Sequence, residues 1–123
     1  MTEKILVVED DVIIRQSIRD LLRSEGYEVA EAGDGAHALR LLERDRFDLV
    51  ISDFVMPRLD GLKVVEQVHA TCPQTPVIFL TGYLSRRSAN ALLRGMAEFI
   101  QKPITFELLL ATVRRLLRPE LEH

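Results

Sequence analysis

Short apolar runs alternate with amphipathic stretches five times along the chain. The runs Ile5–Val8, Leu49–Ser52 and Val77–Leu80 are almost wholly apolar and rich in Val and Ile. Strands buried on both faces of a parallel sheet have this character. Glu28-Val29-Ala30-Glu31-Ala32 instead alternates polar and apolar residues, which predicts a more exposed, edge-like strand. Glu98–Ile100 is the fifth candidate.

Between these runs the apolar period lengthens to that of a helix. Ile14, Ile18, Leu21 and Leu22 share one face, with Arg15, Arg19 and Arg23 on another that reads as a solvated surface. Asp11 is placed to cap this helix at its start, and Gly26 to end it. Ala38, Leu39 and Leu42 mark a second helix after Asp34-Gly35. Leu62, Val65 and Val68, or Val64 and Val68, mark a third. Ala89, Leu92 and Leu93 suggest a short, weakly apolar fourth. Phe106, Leu109, Leu110, Val113, Leu116 and Leu117 form the strongest stripe, behind Thr105 as N-cap. Five rounds of strand and helix predict a parallel sheet with helices on both faces.

At 123 residues the chain has the size of one domain, with no internal repeat or linker. The domain is expected to span residues 1–118, followed by a tail over 119–123. Leu121-Glu122-His123 in that tail reads as the start of a vector-encoded histidine tag. No apolar run approaches the roughly 20 residues that cross a bilayer, and Met1-Thr2-Glu3-Lys4 does not open a secretory signal. The lone Cys72 has no internal disulfide partner, which fits a reducing, cytoplasmic setting. A net charge of -3 with mixed signs lacks the basic footprint of a nucleic-acid binder.

Open parallel sheets gather ligands beyond the carboxyl ends of their strands. Glu9, Asp10 and Asp11 follow the first run, Asp53 the third, Thr81-Gly82 the fourth, and Lys102-Pro103 the fifth. Carboxylates, a hydroxyl and an ammonium from four strands thus converge on one rim. Crowded carboxylates repel unless they share a proton or bind a cation. An all-oxygen set on a half-open rim suits Mg²⁺ (or Mn²⁺), which keeps its waters and takes one or two carboxylates plus phosphate oxygens. Asp53 would then stand as a nucleophile towards phosphorus, with Lys102 and Thr81 contacting the phosphoryl oxygens.

These strings, Ile5-Leu6-Val7-Val8-Glu9-Asp10-Asp11, Asp53-Phe54-Val55-Met56-Pro57 with Asp60-Gly61, Thr81-Gly82 and Lys102-Pro103, resemble the receiver domains of bacterial response regulators. The resemblance runs to about Arg118 and implies a flavodoxin-like, doubly wound sheet of order 2-1-3-4-5 with five helices. It implies Asp53 as phosphoacceptor and Asp10 as direct metal ligand, with Glu9 acting mainly through water. The Val55 carbonyl becomes a main-chain ligand, Lys102 the phosphate-contacting lysine before a cis bond to Pro103, Thr81 the switch hydroxyl and Phe99 the switch aromatic. Because Phe99 has no hydroxyl, a tyrosine-type hydrogen bond is not available to the switch. Expected partners are a sensor histidine kinase or a histidine phosphotransfer domain. The expected output face is the fourth helix, fifth strand and fifth helix, and a homodimer through that face is compatible with the sequence. The first helix, with its arginines, is a second candidate docking face. The segment from Thr81 to Lys102 is one residue shorter than the commonest family pattern, which unsettles the fourth helix.

Three other readings compete. An aspartate-nucleophile phosphatase would need a second acid two residues past its nucleophile, where Val55 follows Asp53 and Val12 follows Asp10. A flavin module would need a hydroxyl- or glycine-rich phosphate loop where Glu9-Asp10-Asp11 stand. A degenerate receiver, binding partners without phosphorylation, is opposed by the intact Glu9, Asp10, Asp53, Thr81 and Lys102.

Overall fold

The computed structural model describes residues 2–56, 59–82 and 97–118. Strands β1 (Lys4–Val8), β2 (Glu28–Ala32), β3 (Leu49–Asp53), β6 (Val77–Thr81) and β7 (Glu98–Gln101) form one sheet in the order β2-β1-β3-β6-β7. Every pairing in it is parallel. A separate two-stranded antiparallel ribbon, β4 (Val55–Met56) and β5 (Leu59–Asp60), follows β3 and was not expected. Strands of two residues are too short for any periodicity to announce them.

Alternation along the strands divides the core into two layers. Leu6, Val8, Val50 and Phe79 face helices α2 (Gly35–Arg44) and α3 (Gly61–Thr71), meeting Ala38, Leu42, Val64 and Val68. Ile5, Val7, Leu49, Ile51, Ile78 and Leu80 face the other way. There they meet Ile18 and Leu22 of α1 (Val12–Ser24), and Leu109 and Val113 of α4 (Phe106–Leu117). Successive residues of a strand serve opposite layers, so both faces of the central strands must be apolar. Of the two stripes the sequence allows on α3, Val64 and Val68 lie in the core. The expected fourth helical pattern, with Ala89, Leu92 and Leu93, lies outside the described residues, as does most of the shortened Thr81–Lys102 segment. The helix labelled α4 here is therefore the fifth of the sequence pattern.

Local signals set the helix ends. Asp11 accepts from the Ile14 N–H at 3.1 Å, Asp34 from the His37 N–H at 2.8 Å and Thr105 from the Leu108 N–H at 3.3 Å. Each satisfies an amide that the first turn leaves without a carbonyl. Helix α1 ends in a Schellman turn. The Gly26 N–H donates to Arg23 O at 3.0 Å and the Tyr27 N–H to Leu22 O at 3.2 Å, with Gly26 at φ +92°. One stripe differs from expectation: Phe106 is exposed, while Thr112 is buried with its hydroxyl donating to Leu108 O at 2.8 Å. Phe106, in the first turn of α4, lines a groove with Ile13, Ile14 and Ile18 of α1.

A Gly26→Ala substitution meets open space, so its cost isolates the left-handed backbone. It is expected to lower stability by about 1–2 kcal/mol, read as a lower urea midpoint at unchanged m-value. An unchanged midpoint would contradict the turn described here.

Candidate functional site

The rim is assembled by strand ends whose registers bring acids from β1 and β3 side by side. Val8 pairs with Ser52, so Glu9 and Asp53 each stand one residue further along. Glu9 is completely buried. Its N–H donates to Ala32 O at 3.1 Å, and its carbonyl accepts from Arg15 Nη1 at 2.8 Å. Asp10, the next residue, is exposed, and Asp53 is half-buried. One carboxylate oxygen from each of Glu9, Asp10 and Asp53 lies within 4.8 Å of the others.

Lys102 enters from the end of β7. Its backbone N–H donates to Thr81 O at 2.8 Å, and its bond to Pro103 is cis, as the family resemblance implied. Its Nζ lies 3.2 Å from Glu9 Oε1 and 3.5 Å from Asp53 Oδ2. Glu9 Oε2 is buried with no hydrogen-bond donor among the described residues. That orphaned oxygen, beside two further carboxylates, fits a hard cation or a water of its shell.

The electrostatics follow from this crowding. Burial first, and then the neighbouring Asp53 carboxylate, push the Glu9 carboxyl up to about 7, against the opposing pull of Lys102. Burial alone would lower the Lys102 ammonium, but the Asp53 and Glu9 charges outweigh it and raise it. Lys102 is therefore a permanent cation poised over two acids.

Thr81 is buried at the end of β6, one strand from Asp53. Val55 opens the β4–β5 ribbon two residues past Asp53, paired with Asp60. Phe99 is half-buried in a three-ring cluster with Phe54 and Phe79, at centroid distances of 5.4 Å and 5.6 Å. Phe54 and Phe79 lie 5.3 Å apart. Phe54, directly after Asp53, was not singled out from the sequence. An apolar residue following a strand-end acid was the available sign.

The arginine face of α1 is not a free surface. Arg15 and Arg19 both bind Glu31 of β2, and Arg23 donates to Val29 O at 3.1 Å. The large apolar residues that α1 leaves exposed are Val12 and Ile13, the latter 77% accessible. Ile13 borders, with Ile14, Ile18, Ile104 and Phe106, a groove of about 350 Å³ that Lys102 and Pro103 also line. No helix among the described residues is long and apolar enough to cross a membrane.

A family model for the response regulator receiver domain matches residues 5–114. Response regulator MprA of Mycobacterium leprae is 43% identical over 117 residues, covering 94% of this chain and 51% of that protein. The chain thus spans about half the length of the curated relatives it matches. A CheY-like receiver domain protein from Methanospirillum hungatei superposes with a TM-score of 0.90 at 31% identity, over 100% of both chains. Chemotaxis protein CheY4 of Vibrio cholerae gives 0.85 at 35% identity, over 95% of this chain and 100% of that one. With the sheet order, the acidic rim and these likenesses in agreement, the chain belongs to the receiver domain family of two-component response regulators.

Proposed function

We propose that residues 1–118 act as one receiver domain that accepts a phosphoryl group on Asp53 from a phosphohistidine, with Mg²⁺ or Mn²⁺ bound beside it. The observation that carries this reading is Lys102 Nζ held between Glu9 and Asp53 on a rim of three clustered carboxylates. Asp10, Asp53 and the Val55 carbonyl would hold the metal directly, and Glu9 through water. Bound there, the metal would offset charge on the acids and on the transferred group.

The residues of the chain then divide the work. An Asp53 carboxylate oxygen attacks phosphorus in line, the phosphorus–nitrogen bond breaks, and its electron pair returns to the imidazole of the donor. Lys102 neutralises charge on the equatorial oxygens, and the Thr81 hydroxyl donates to one of them. The new acyl phosphate adds nearly two negative charges. Thr81 and Lys102 follow it, and Phe99 repacks against Phe54 and Phe79, with no hydroxyl involved in the change. Water later hydrolyses the acyl phosphate, making the domain a self-resetting switch rather than an enzyme.

The donor is a sensor histidine kinase or a phosphotransfer domain. Its docking surface is the apolar groove of α1 and α4, because Lys102 lines both that groove and the acidic rim. The output is a second segment of a longer protein, a reading supported by relatives about twice as long. A cytoplasmic setting suits the lone Cys72.

Three outcomes are expected. Because the Glu9 carboxyl sits near 7 when metal is absent, a cation must displace its proton at lower pH. Mg²⁺ affinity from calorimetry is expected to rise about fivefold from pH 6 to 7, about tenfold by pH 8, and to level off above that, and chelation is expected to abolish labelling by a small phosphodonor. Labelling that survives chelation would overturn the metal-assisted reading. Ile13→Asp places a charge on the groove at a side chain outside the acidic cluster. It is expected to slow transfer from a phosphohistidine partner about tenfold or more while leaving labelling by a small donor unchanged. Equal loss from both donors would remove the groove from docking.

A further inference from the structure

We propose that Arg15 is a positioning residue for the acidic rim: its guanidinium, anchored by Glu31, grips the Glu9 carbonyl and holds Glu9 and Asp10 at the spacing a metal ion requires. The proposal deepens the metal-site reading above and rests on it.

Arg15 is a half-buried residue one turn into α1, and its side chain turns back towards the loop that precedes the helix. Its Nε donates to Glu31 Oε1 at 3.2 Å, while its Nη1 donates to the Glu9 carbonyl at 2.8 Å. The planar fork lets one side chain meet both acceptors at once. A Cβ at position 33 would stand 3.1 Å from Nη1, so Gly33 leaves the guanidinium its seat beside the β2–α2 turn.

The backbone of Glu9 is thereby fixed from both sides. Its N–H is held by Ala32 O, and its carbonyl by Arg15. Asp10 follows immediately, so the position of its carboxylate depends on the same peptide. Held only by its flanking strand and helix, this loop would have to keep two like-charged side chains pointing at one spot.

Glu31 has a second part in this arrangement. Burial would raise its carboxyl, but hydrogen bonds from Arg19 and Arg15 outweigh that and hold it low. It therefore stays ionised beside both arginines and offsets their charge. Arg15 can then grip a carbonyl next to a cation site without acting as a rival cation. Arg19 shares Glu31 at 3.0 Å and also pairs with Asp20 at 2.9 Å, so it supplies a matched comparison.

Charge and geometry predict opposite signs when Arg15 is replaced. If Arg15 acted only as a nearby positive charge, removing it would tighten the binding of a divalent cation. As a clamp, its removal loosens the loop and weakens binding. Calorimetric titration of the chain with Mg²⁺ at pH 8 separates the two. Arg15→Gln is expected to weaken binding about tenfold, the scale for residues that orient metal ligands, whereas Arg19→Gln stays within about twofold of wild type. Arg15→Lys keeps the charge but offers one ammonium for two acceptors. It is also expected to bind Mg²⁺ several-fold more weakly, and it serves as the reading if Arg15→Gln fails to fold by circular dichroism. Wild-type affinity or tighter binding in the folded Arg15 variants, or an equal loss in Arg19→Gln, would overturn the proposal. Failure of the wild-type chain itself to bind Mg²⁺ would instead overturn the metal-site reading on which it rests.

Discussion

A buried carboxylate beside a second carboxylate is the constraint on which the rim of this domain depends. Two unit charges about 4 Å apart repel by roughly 4 kcal/mol at an effective dielectric of about 20. Glu9 is wholly buried, so water does little to relieve that repulsion. Three responses are open to the chain: hold a proton, supply a cation of its own, or recruit one. The rim shows the first two and leaves a place for the third. The Glu9 carboxyl is pushed up to about 7, Lys102 bridges Glu9 and Asp53, and Glu9 Oε2 is left facing no donor among the described residues. A site poised in this way responds strongly to any change of charge, as a phosphorylation switch requires.

The fold exists around that constraint as much as beneath it. Parallel pairing of β1 with β3 puts Glu9 and Asp53 at equivalent heights, and the β6–β7 pair brings in Thr81 and Lys102 from the other side. The two apolar layers hold these strand ends rigid, so the charges cannot separate by moving the backbone. Relief has to come from protons, from Lys102 or from a bound ion. Behind Asp53 the polar rim gives way to three packed rings, Phe54, Phe79 and Phe99. The residue next to the acid is thus in contact with the ring of β7. Movement at the rim has an apolar route towards that strand.

Much of this was legible in the sequence because its chemistry sits at the ends of apolar runs. Glu9, Asp10, Asp53, Thr81 and Lys102 each end a strand or lie within two residues of its end, and a parallel sheet sends such residues to one edge. The strands themselves followed from run length and the helix caps from Asp11, Thr105 and Gly26, whereas the strand order came from the family resemblance. What periodicity could not give was partnership across strands. Arg15 read as solvated because helical spacing reports a face, whereas Glu31, its partner, lies 16 residues away on β2. Burial of Glu9 against exposure of Asp10 was hidden for a related reason, since adjacent acids look alike until a neighbouring strand covers one. The β4–β5 ribbon was missed because two residues carry no period. The exposure of Phe106 was missed because a stripe shows which residues share a face, not how far neighbouring elements cover it.

The central claim is that Asp53, and not another acid of the rim, carries the phosphoryl group. Intact-protein mass spectrometry after incubation with a small phosphodonor and Mg²⁺ tests it most directly, with wild type and Asp53→Asn run in parallel. A gain of one phosphoryl group in the wild type and none in the folded Asp53→Asn chain is the expected result. A gain of the same size in both would contradict it and move the acceptor elsewhere on the rim.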